Sequence, residues 1–258
     1  MFDLPGYISP IALDFFGFGI RWYSLSYIFG FLYFFWFSTK HQDYFELDKK
    51  KIDYLFYLCF FGLILGGRLG YIIFYNFSYY LSEPISILKI WEGGMSFHGA
   101  LIGIVIALLI FIKKTKSHFF LITDLMSLTA PLGIFFGRIA NFFNSELQGR
   151  ETKFFISVKY PNEEFYRHIS QIYEGMFEGL IPLVILTLIF FLKKTVRGLM
   201  TGLFLIIYSV SRFSIEFIRD PDTQVGFVFS NITLGQILTI PIFTIGFYIL
   251  LKCLSKTK

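Results

Sequence analysis

Cysteine is nearly absent, with Cys59 and Cys253 the two in 258 residues. Neither a disulfide framework nor a C-x-x-C metal or redox pair is available, so both are read as packing residues. Charge is scarce as well. Asp, Glu, Lys and Arg make up 16% of the chain against 55% hydrophobic residues, a balance that excludes an ordinary water-soluble globule. The opening stretch M-F-D-L-P-G-Y has no basic residue, and no small-residue cleavage site follows the first apolar run, so the first span is expected to stay in the mature protein. No Pro/Ser-rich linker or low-complexity tract divides the chain, and a single integral membrane domain, 1–258, is expected. His41, His98, His118 and His168 have no metal-ligand spacing, and G-F-G at 17 to 19 is too short for a dinucleotide loop. No metal, nucleotide or organic cofactor is expected.

What the chain has instead is apolar and aromatic. It carries 36 Phe and 16 Tyr, and its mean hydropathy is +0.63. A hydrocarbon core of roughly 30 Å needs about 20 apolar residues per helix. Windows centred near 28, 64, 104, 128, 184, 207 and 241 approach that length, with Asp124 and Pro131 interrupting the one near 128. The expected fold is an all-α polytopic membrane protein of about seven transmembrane helices with a small extracytoplasmic cap. Gly62/Gly66/Gly70, Gly99/Gly103, Gly133/Gly137 and Gly198/Gly202 repeat a small-x-x-x-small spacing that allows close helix approach in lipid.

The net charge of +5 comes from lysines grouped in short blocks, not from a basic face interleaved with stacking aromatics, so no nucleic-acid partner is expected. Lys40 with Lys49, Lys50 and Lys51, then Lys113, Lys114 and Lys116, then Lys193, Lys194 and Arg197, then Lys252, Lys256 and Lys258 occupy every second connection. By the positive-inside rule those connections are cytoplasmic, the N-terminus is outside and the C-terminus is cytoplasmic. Arg21, Arg68, Arg138, Arg150, Arg167, Arg212 and Arg219 then fall on the outward side or within the spans leading to it. Arginine binds phosphate oxygens bidentately, so these residues read as chemistry. For Arg21 and Arg68 the competing reading is a side chain that snorkels to the outer interface.

The polar residues cluster beside apolar spans, where each must be paired, hydrated or used. Gly137 to Arg150 reads G-R-I-A-N-F-F-N-S-E-L-Q-G-R, residues 211 to 219 read S-R-F-S-I-E-F-I-R, and residues 93 to 99 read G-G-M-S-F-H-G. Together they point to an intramembrane site for an anionic head group. Asn141 and Glu146 follow Arg138 by a spacing that keeps the three on roughly one face if the helix continues. The longest non-membrane stretch, about 139 to 172, contains K-F-F-I-S-V-K-Y-P-N, whose alternation and proline suggest a short strand pair in an outward-facing cap.

These blocks resemble the prolipoprotein diacylglyceryl transferases. The resemblance rests on Gly137 to Gly149 together with I-R-W-Y at 20 to 23, G-G-R-L-G-Y at 66 to 71 and G-G-M-S-F-H-G at 93 to 99. It extends through R-H-I-S-Q-I-Y-E at 167 to 174, R-F-S-I-E-F-I-R-D-P-D-T-Q at 212 to 224 and L-G-Q-I-L-T-I-P at 234 to 241, in the family's order. Ala140, Ser145 and Ile169 stand where the family pattern has Gly, Gly and Pro, and Ser24 replaces a usual Gly. No charged group is removed by these departures.

The resemblance implies transfer of the diacylglyceryl group of phosphatidylglycerol to the thiol of the lipobox cysteine in the signal peptide of an exported prolipoprotein, in the bacterial inner membrane. Membrane lipids are then the other partners. The products are a thioether and glycerol-1-phosphate, and the chemistry needs a thiolate and stabilisation of charge on the departing phosphate. His98 is the expected base. Its competing reading is a histidine hydrogen-bonded to a neighbouring helix. Arg138 and Arg212 are expected to bind the lipid phosphate, with Asn141 donating to a phosphate or glycerol oxygen and Glu146 orienting an arginine or glycerol hydroxyl. Tyr23 resembles the family's essential tyrosine, against the competing reading of an aromatic-belt residue. Gly149 is expected to permit a backbone turn, and Gln171, Tyr173, Glu174 and Arg68 to support the site. Glu216 reads equally as an intrahelical counter-ion of Arg212, and Arg219 and Asp220 as rim charges. From another class, an anion transporter would use the same arginines for translocation, although no inverted repeat is present.

Overall fold

The computed structural model describes residues 1–4, 6–15, 18–89, 93–192, 196–221, 226–229 and 231–255. In chain order the elements are β1 (Phe2–Asp3), β2 (Ile11–Phe15), β3 (Phe18–Arg21), α1 (Trp22–Lys40), α2 (Lys49–Tyr75), α3 (Phe77–Ser82), α4 (Phe97–Thr115) and α5 (Phe119–Phe143). They continue with β4 (Ser157–Lys159), β5 (Arg167–His168), α6 (Ser170–Glu174), α7 (Ile181–Leu192), α8 (Leu199–Ile215), β6 (Phe227–Phe229), β7 (Ile232–Thr233) and α9 (Leu234–Ser255). A 3₁₀ turn covers Pro84–Leu88 and a π-helical turn, Gly175–Leu180, joins α6 to α7. Lys193, Lys194, Lys256 and Lys258 of the lysine blocks, and Asp222, Thr223 and Gln224 of the motif after Arg212, lie outside the described residues.

Each apolar window of the sequence falls on a helix. Five helical stretches are long and apolar enough to cross a membrane: Lys49–Tyr75, His98–Thr115, Phe119–Phe143, Ser170–Leu192 and Leu234–Ser255. Leu199–Ile215 is a shorter apolar helix, and α1 is a 19-residue helix rich in aromatic residues. The chain is mostly helical, as a polytopic membrane protein is, and this is the coarse part of the expected fold. Of the small sheets, the sequence indicates only the one around residues 153 to 162. There β4 pairs antiparallel with β5, while β1 joins β4 in parallel from the far N-terminus. A β2–β3 hairpin and a β6–β7 pair complete the strands among the described residues.

The contacts divide the chain into two compact units, Met1–Trp36 with Thr123–Lys258, and Phe37–Ile122. In the 37–122 unit, α2 begins where the Asp48 side chain accepts a hydrogen bond from the Lys51 amide at 2.7 Å. It packs along α4 through the glycine stripe read from the sequence. A Cβ on Gly62 would stand 2.6 Å from the Gly103 carbonyl oxygen, and one on Gly70 would stand 2.7 Å from the Gly99 Cα, so the two backbones touch. The same unit holds Arg68, buried and not snorkelling. Its Nε donates to Ile87 O at 3.0 Å, and its terminal nitrogens donate to Ser86 O at 2.5 Å and Gly94 O at 3.1 Å. The guanidinium therefore gathers the carbonyls of Ser86, Ile87 and Gly94 ahead of α4.

α5, which belongs to the other unit from Thr123 onward, runs unbroken through Asp124 and Pro131, the two residues expected to interrupt it. Asp124 is buried because it has donors. It accepts from the amides of Gly198 and Thr201 at 2.6 and 2.8 Å and from the Thr201 hydroxyl at 2.6 Å, which satisfies the free N–H groups at the start of α8. On the β1–β4–β5 sheet, Val158, Tyr160 and Ile169 form a small core with Leu4, Phe142, Ile172 and Tyr173 packed against it. Burial pushes the Tyr160 phenol up to about 12, so it stays a neutral hydroxyl.

Candidate functional site

The polar centre of the Met1–Trp36/Thr123–Lys258 unit is a lattice of arginine and glutamate drawn from four helical elements. Arg138, near the end of α5, spreads its fork over two carboxylates: Nη1 lies 2.9 Å from Glu174 Oε2, and Nη2 lies 2.9 Å from Glu178 Oε2. Arg212, in the last turn of α8, reaches the same pair. Its Nη1 lies 2.6 Å from Glu174 Oε1 and 3.5 Å from Glu178 Oε1, while Nη2 lies 2.8 Å from Glu216 Oε2. Arg219 adds Nη1 at 3.5 Å from Glu216 and Nε at 3.7 Å from Glu174. Both shared carboxylates are fully buried, whereas the arginine side chains keep 18% (Arg138) and 13% (Arg212) of their surface exposed. Three guanidiniums thus face three carboxylates, and the anchoring acids hold each fork in one orientation.

Glu178 lies outside the motifs read from the sequence. It sits in the π-helical turn after α6, and that turn fits against α5 only because Gly179 lacks a side chain. A Cβ there would stand 2.7 Å from the Phe135 amide nitrogen. The available signal was E-G-M-F-E-G at 174 to 179, two acids four residues apart at the start of an apolar run, where an ionisable residue marks function by default.

A second cluster contains Tyr23, Asn141 and Glu146. The Tyr23 hydroxyl donates to Glu146 Oε2, and Asn141 Nδ2 donates to the Tyr23 oxygen and, at 3.3 Å, to Glu146 Oε2. Glu146 orients this tyrosine and asparagine, and among the described residues no arginine pairs with it. Arg138 and Asn141 share one helix but Glu146 does not, because α5 ends at Phe143 and the chain then turns through left-handed Ser145 (φ 56°) and Leu147 (φ 54°). Ser145 is one of the positions where the family pattern has glycine, the residue that takes this conformation without strain. Gln171 fixes the turn from α6, donating to Glu146 O at 2.5 Å and to the Tyr160 hydroxyl at 3.1 Å. Tyr173 donates to Ile156 O at 2.8 Å.

Gly149 serves close approach and not a left-handed turn. A Cβ on it would lie 2.6 Å from His168 Cβ, and it is bridged to Arg219. Next to it, Arg150 donates through Nε to Arg219 O at 2.9 Å, which ties this segment to the end of α8. Arg219 is buried, so the rim reading fails for it, while Asp220 is exposed and pairs with Arg167 at 3.0 Å. Glu216 is more than an intrahelical counter-ion, since it also accepts from the Thr233 hydroxyl at 3.0 Å. His98 belongs to the 37–122 unit. It lies exposed in the first turn of α4, whose start is capped by Ser96 accepting from the Gly99 amide at 3.2 Å.

Apolar helices of spanning length, with a buried arginine and glutamate lattice among them, define an integral membrane protein with a polar centre inside the apolar region. A family model described as prolipoprotein diacylglyceryl transferase matches residues 10–252, and the chain belongs to that family. It is 45% identical over 258 residues to a protein of Rickettsia bellii named phosphatidylglycerol--prolipoprotein diacylglyceryl transferase, with 97% of this chain and 98% of the relative covered. Proteins of the same name are 44% identical over 254 residues in Rickettsia typhi (96% and 98% covered) and 45% identical over 234 residues in Ehrlichia canis (89% and 90% covered).

Proposed function

We propose that this protein transfers the diacylglyceryl group of phosphatidylglycerol to the thiol of the lipobox cysteine of prolipoproteins, the first step of bacterial lipoprotein maturation. Membership of the family and the names of its relatives support the reaction. The residue assignment rests on one observation: Arg138 and Arg212, from different helices, converge on the same two buried carboxylates. Guanidiniums anchored in this way do not reorganise when charge develops on a departing phosphate, which is what electrostatic stabilisation of a transition state requires. Because the lattice is balanced in formal charge, the phosphate is recognised by oriented N–H donors more than by net positive charge.

In the reaction, sulfur attacks a glyceryl carbon and the C–O bond to phosphate breaks, leaving the P–O bonds intact. The electron pair leaves with the oxygen of glycerol-1-phosphate, and a thioether forms. His98 takes the thiol proton, and Tyr23, held by Asn141 and Glu146, presents its hydroxyl to the glycerol portion of the lipid. The whole chain, 1–258, acts as one integral membrane domain of seven spans in the bacterial inner membrane. Its N-terminus and the 139–172 segment face outward, where signal peptides arrive, and its C-terminus is cytoplasmic.

The test is mass spectrometry of a synthetic lipobox peptide incubated with the purified protein and phosphatidylglycerol. A diacylglyceryl-sized increase on the cysteine with release of glycerol-1-phosphate is expected; an unmodified peptide with folded protein sinks the reading. For His98, the deficit of His98→Ala should shrink as pH rises, whereas a deficit constant with pH assigns it an orienting role.

A further inference from the structure

Glu216 is held in place by a helix that adds no charge to the lattice. Thr233 precedes α9 and, with Gln236, forms a reciprocal cap: the Gln236 amide donates to Thr233 Oγ1 at 3.3 Å, and the Thr233 amide donates to Gln236 Oε1 at 3.0 Å. The same threonine hydroxyl donates to Glu216 Oε1 at 3.0 Å, so one side chain caps α9 and grips the carboxylate. Gln236 reaches back to α8 as well, its Nε2 lying 3.4 Å from Phe213 O. Thr233, Gln236 and Glu216 are all buried, so water does not compete for these bonds.

Gly235 lets the carboxylate approach. A Cβ built on it would stand 2.8 Å from Glu216 Oε1, closer than real Cβ atoms come, and 3.0 Å from Glu216 Cδ. The carboxylate therefore rests against the first turn of α9, where the aligned backbone dipoles favour negative charge. Its other oxygen, Oε2, lies 2.8 Å from Arg212 Nη2. With Glu174 on Nη1 and Glu216 on Nη2, the plane and direction of the Arg212 guanidinium follow from where these two acids are fixed.

We infer that Thr233, Gly235 and Gln236 at the start of α9 are positioning residues for the transfer reaction, acting through Glu216 to aim the Arg212 fork at the lipid phosphate. The inference rests on the reading of Arg212 given above. None of the three is placed at the reacting atoms. Their contribution is to hold a donor still, so their loss appears in turnover more than in binding of the peptide.

The experiment measures kcat and KM for the lipobox peptide with full-length protein in detergent containing phosphatidylglycerol. Thr233→Val, Thr233→Ser and Gly235→Ala are compared, and Thr233→Val is repeated in an Arg212→Lys background. Thr233→Val removes the hydroxyl at nearly constant shape, and a hydrogen bond to a charged group is worth enough for about a tenfold fall in kcat. The peptide KM should stay within about twofold. Thr233→Ser should recover most of the rate, Gly235→Ala should behave like Thr233→Val, and in Arg212→Lys the valine change should cost less than about twofold more. Equal losses in both backgrounds, or no rescue by serine, overturn the inference. Wild-type turnover of Arg212→Lys itself would refute the role of Arg212, which is a different outcome from additivity. Should Gly235→Ala not fold, the near-isosteric Thr233 pair decides alone.

Discussion

Replacing Arg138 by lysine separates the fork from the charge. In the structure the two terminal nitrogens of Arg138 serve two different acids, Glu174 and Glu178, at 2.9 Å each. A lysine ammonium is a single point on a flexible stem and meets one of them. Without Arg138, Glu178 keeps only the 3.5 Å contact to Arg212 within the lattice. Removing one partner of a buried pair costs about 3–5 kcal/mol, so Arg138→Ala should lower stability as well as activity. Arg138→Lys should recover part of that, leaving a loss of about 2 kcal/mol. Turnover should fall much further, by about 10²–10³, the usual effect of losing one oriented donor to developing charge. Thermal unfolding in detergent reads the first quantity, and mass-spectrometric turnover of a lipobox peptide reads the second. The double variant Arg138→Ala/Glu178→Gln removes the stranded charge and should regain stability without regaining turnover. Arg138→Lys working within about threefold of the wild-type rate would refute the reasoning, because charge without a fork would then suffice.

Asp124→Asn should destabilise the protein by about 2 kcal/mol, because the charged acceptor of two amides and a hydroxyl at the start of α8 is weakened, and an unchanged unfolding temperature would remove Asp124 from that role. His168 lies in the small sheet, where burial lowers its pKa from the ordinary value and its Nδ1 has no hydrogen-bond partner. The unfolded chain then binds the proton more readily, so the stability from neutral His168 is present above the ordinary histidine range and is lost as pH falls from there toward the lowered value. The hydrogen-exchange protection factors of residues 157 to 168, taken relative to the intrinsic rate at each pH, should fall on that descent in the wild type and stay constant in His168→Gln, and an equal fall in both would sink the assignment.

The membrane class was legible because hydropathy is a local property: each apolar window is a helix whichever neighbours it meets. The glycine stripes of α2 and α4 were legible for the same reason, since the spacing of one helix face survives any packing. The residue blocks around Arg138, Arg212 and Tyr23 were enough to identify the family. Tertiary structure alone decided what those residues hold. Glu178 is unremarkable until the π-helical turn and Gly179 bring it against α5, and Glu146 left the arginine face because α5 ends at Phe143. Arg68 became a clasp of backbone carbonyls, and Arg219 moved from rim to lattice, through partners far away in sequence. The sequence records which groups are present and how they are spaced within one helix. Which charge meets which is settled by the packing of helices remote in the chain, where a buried ion keeps only the partner the fold brings within reach.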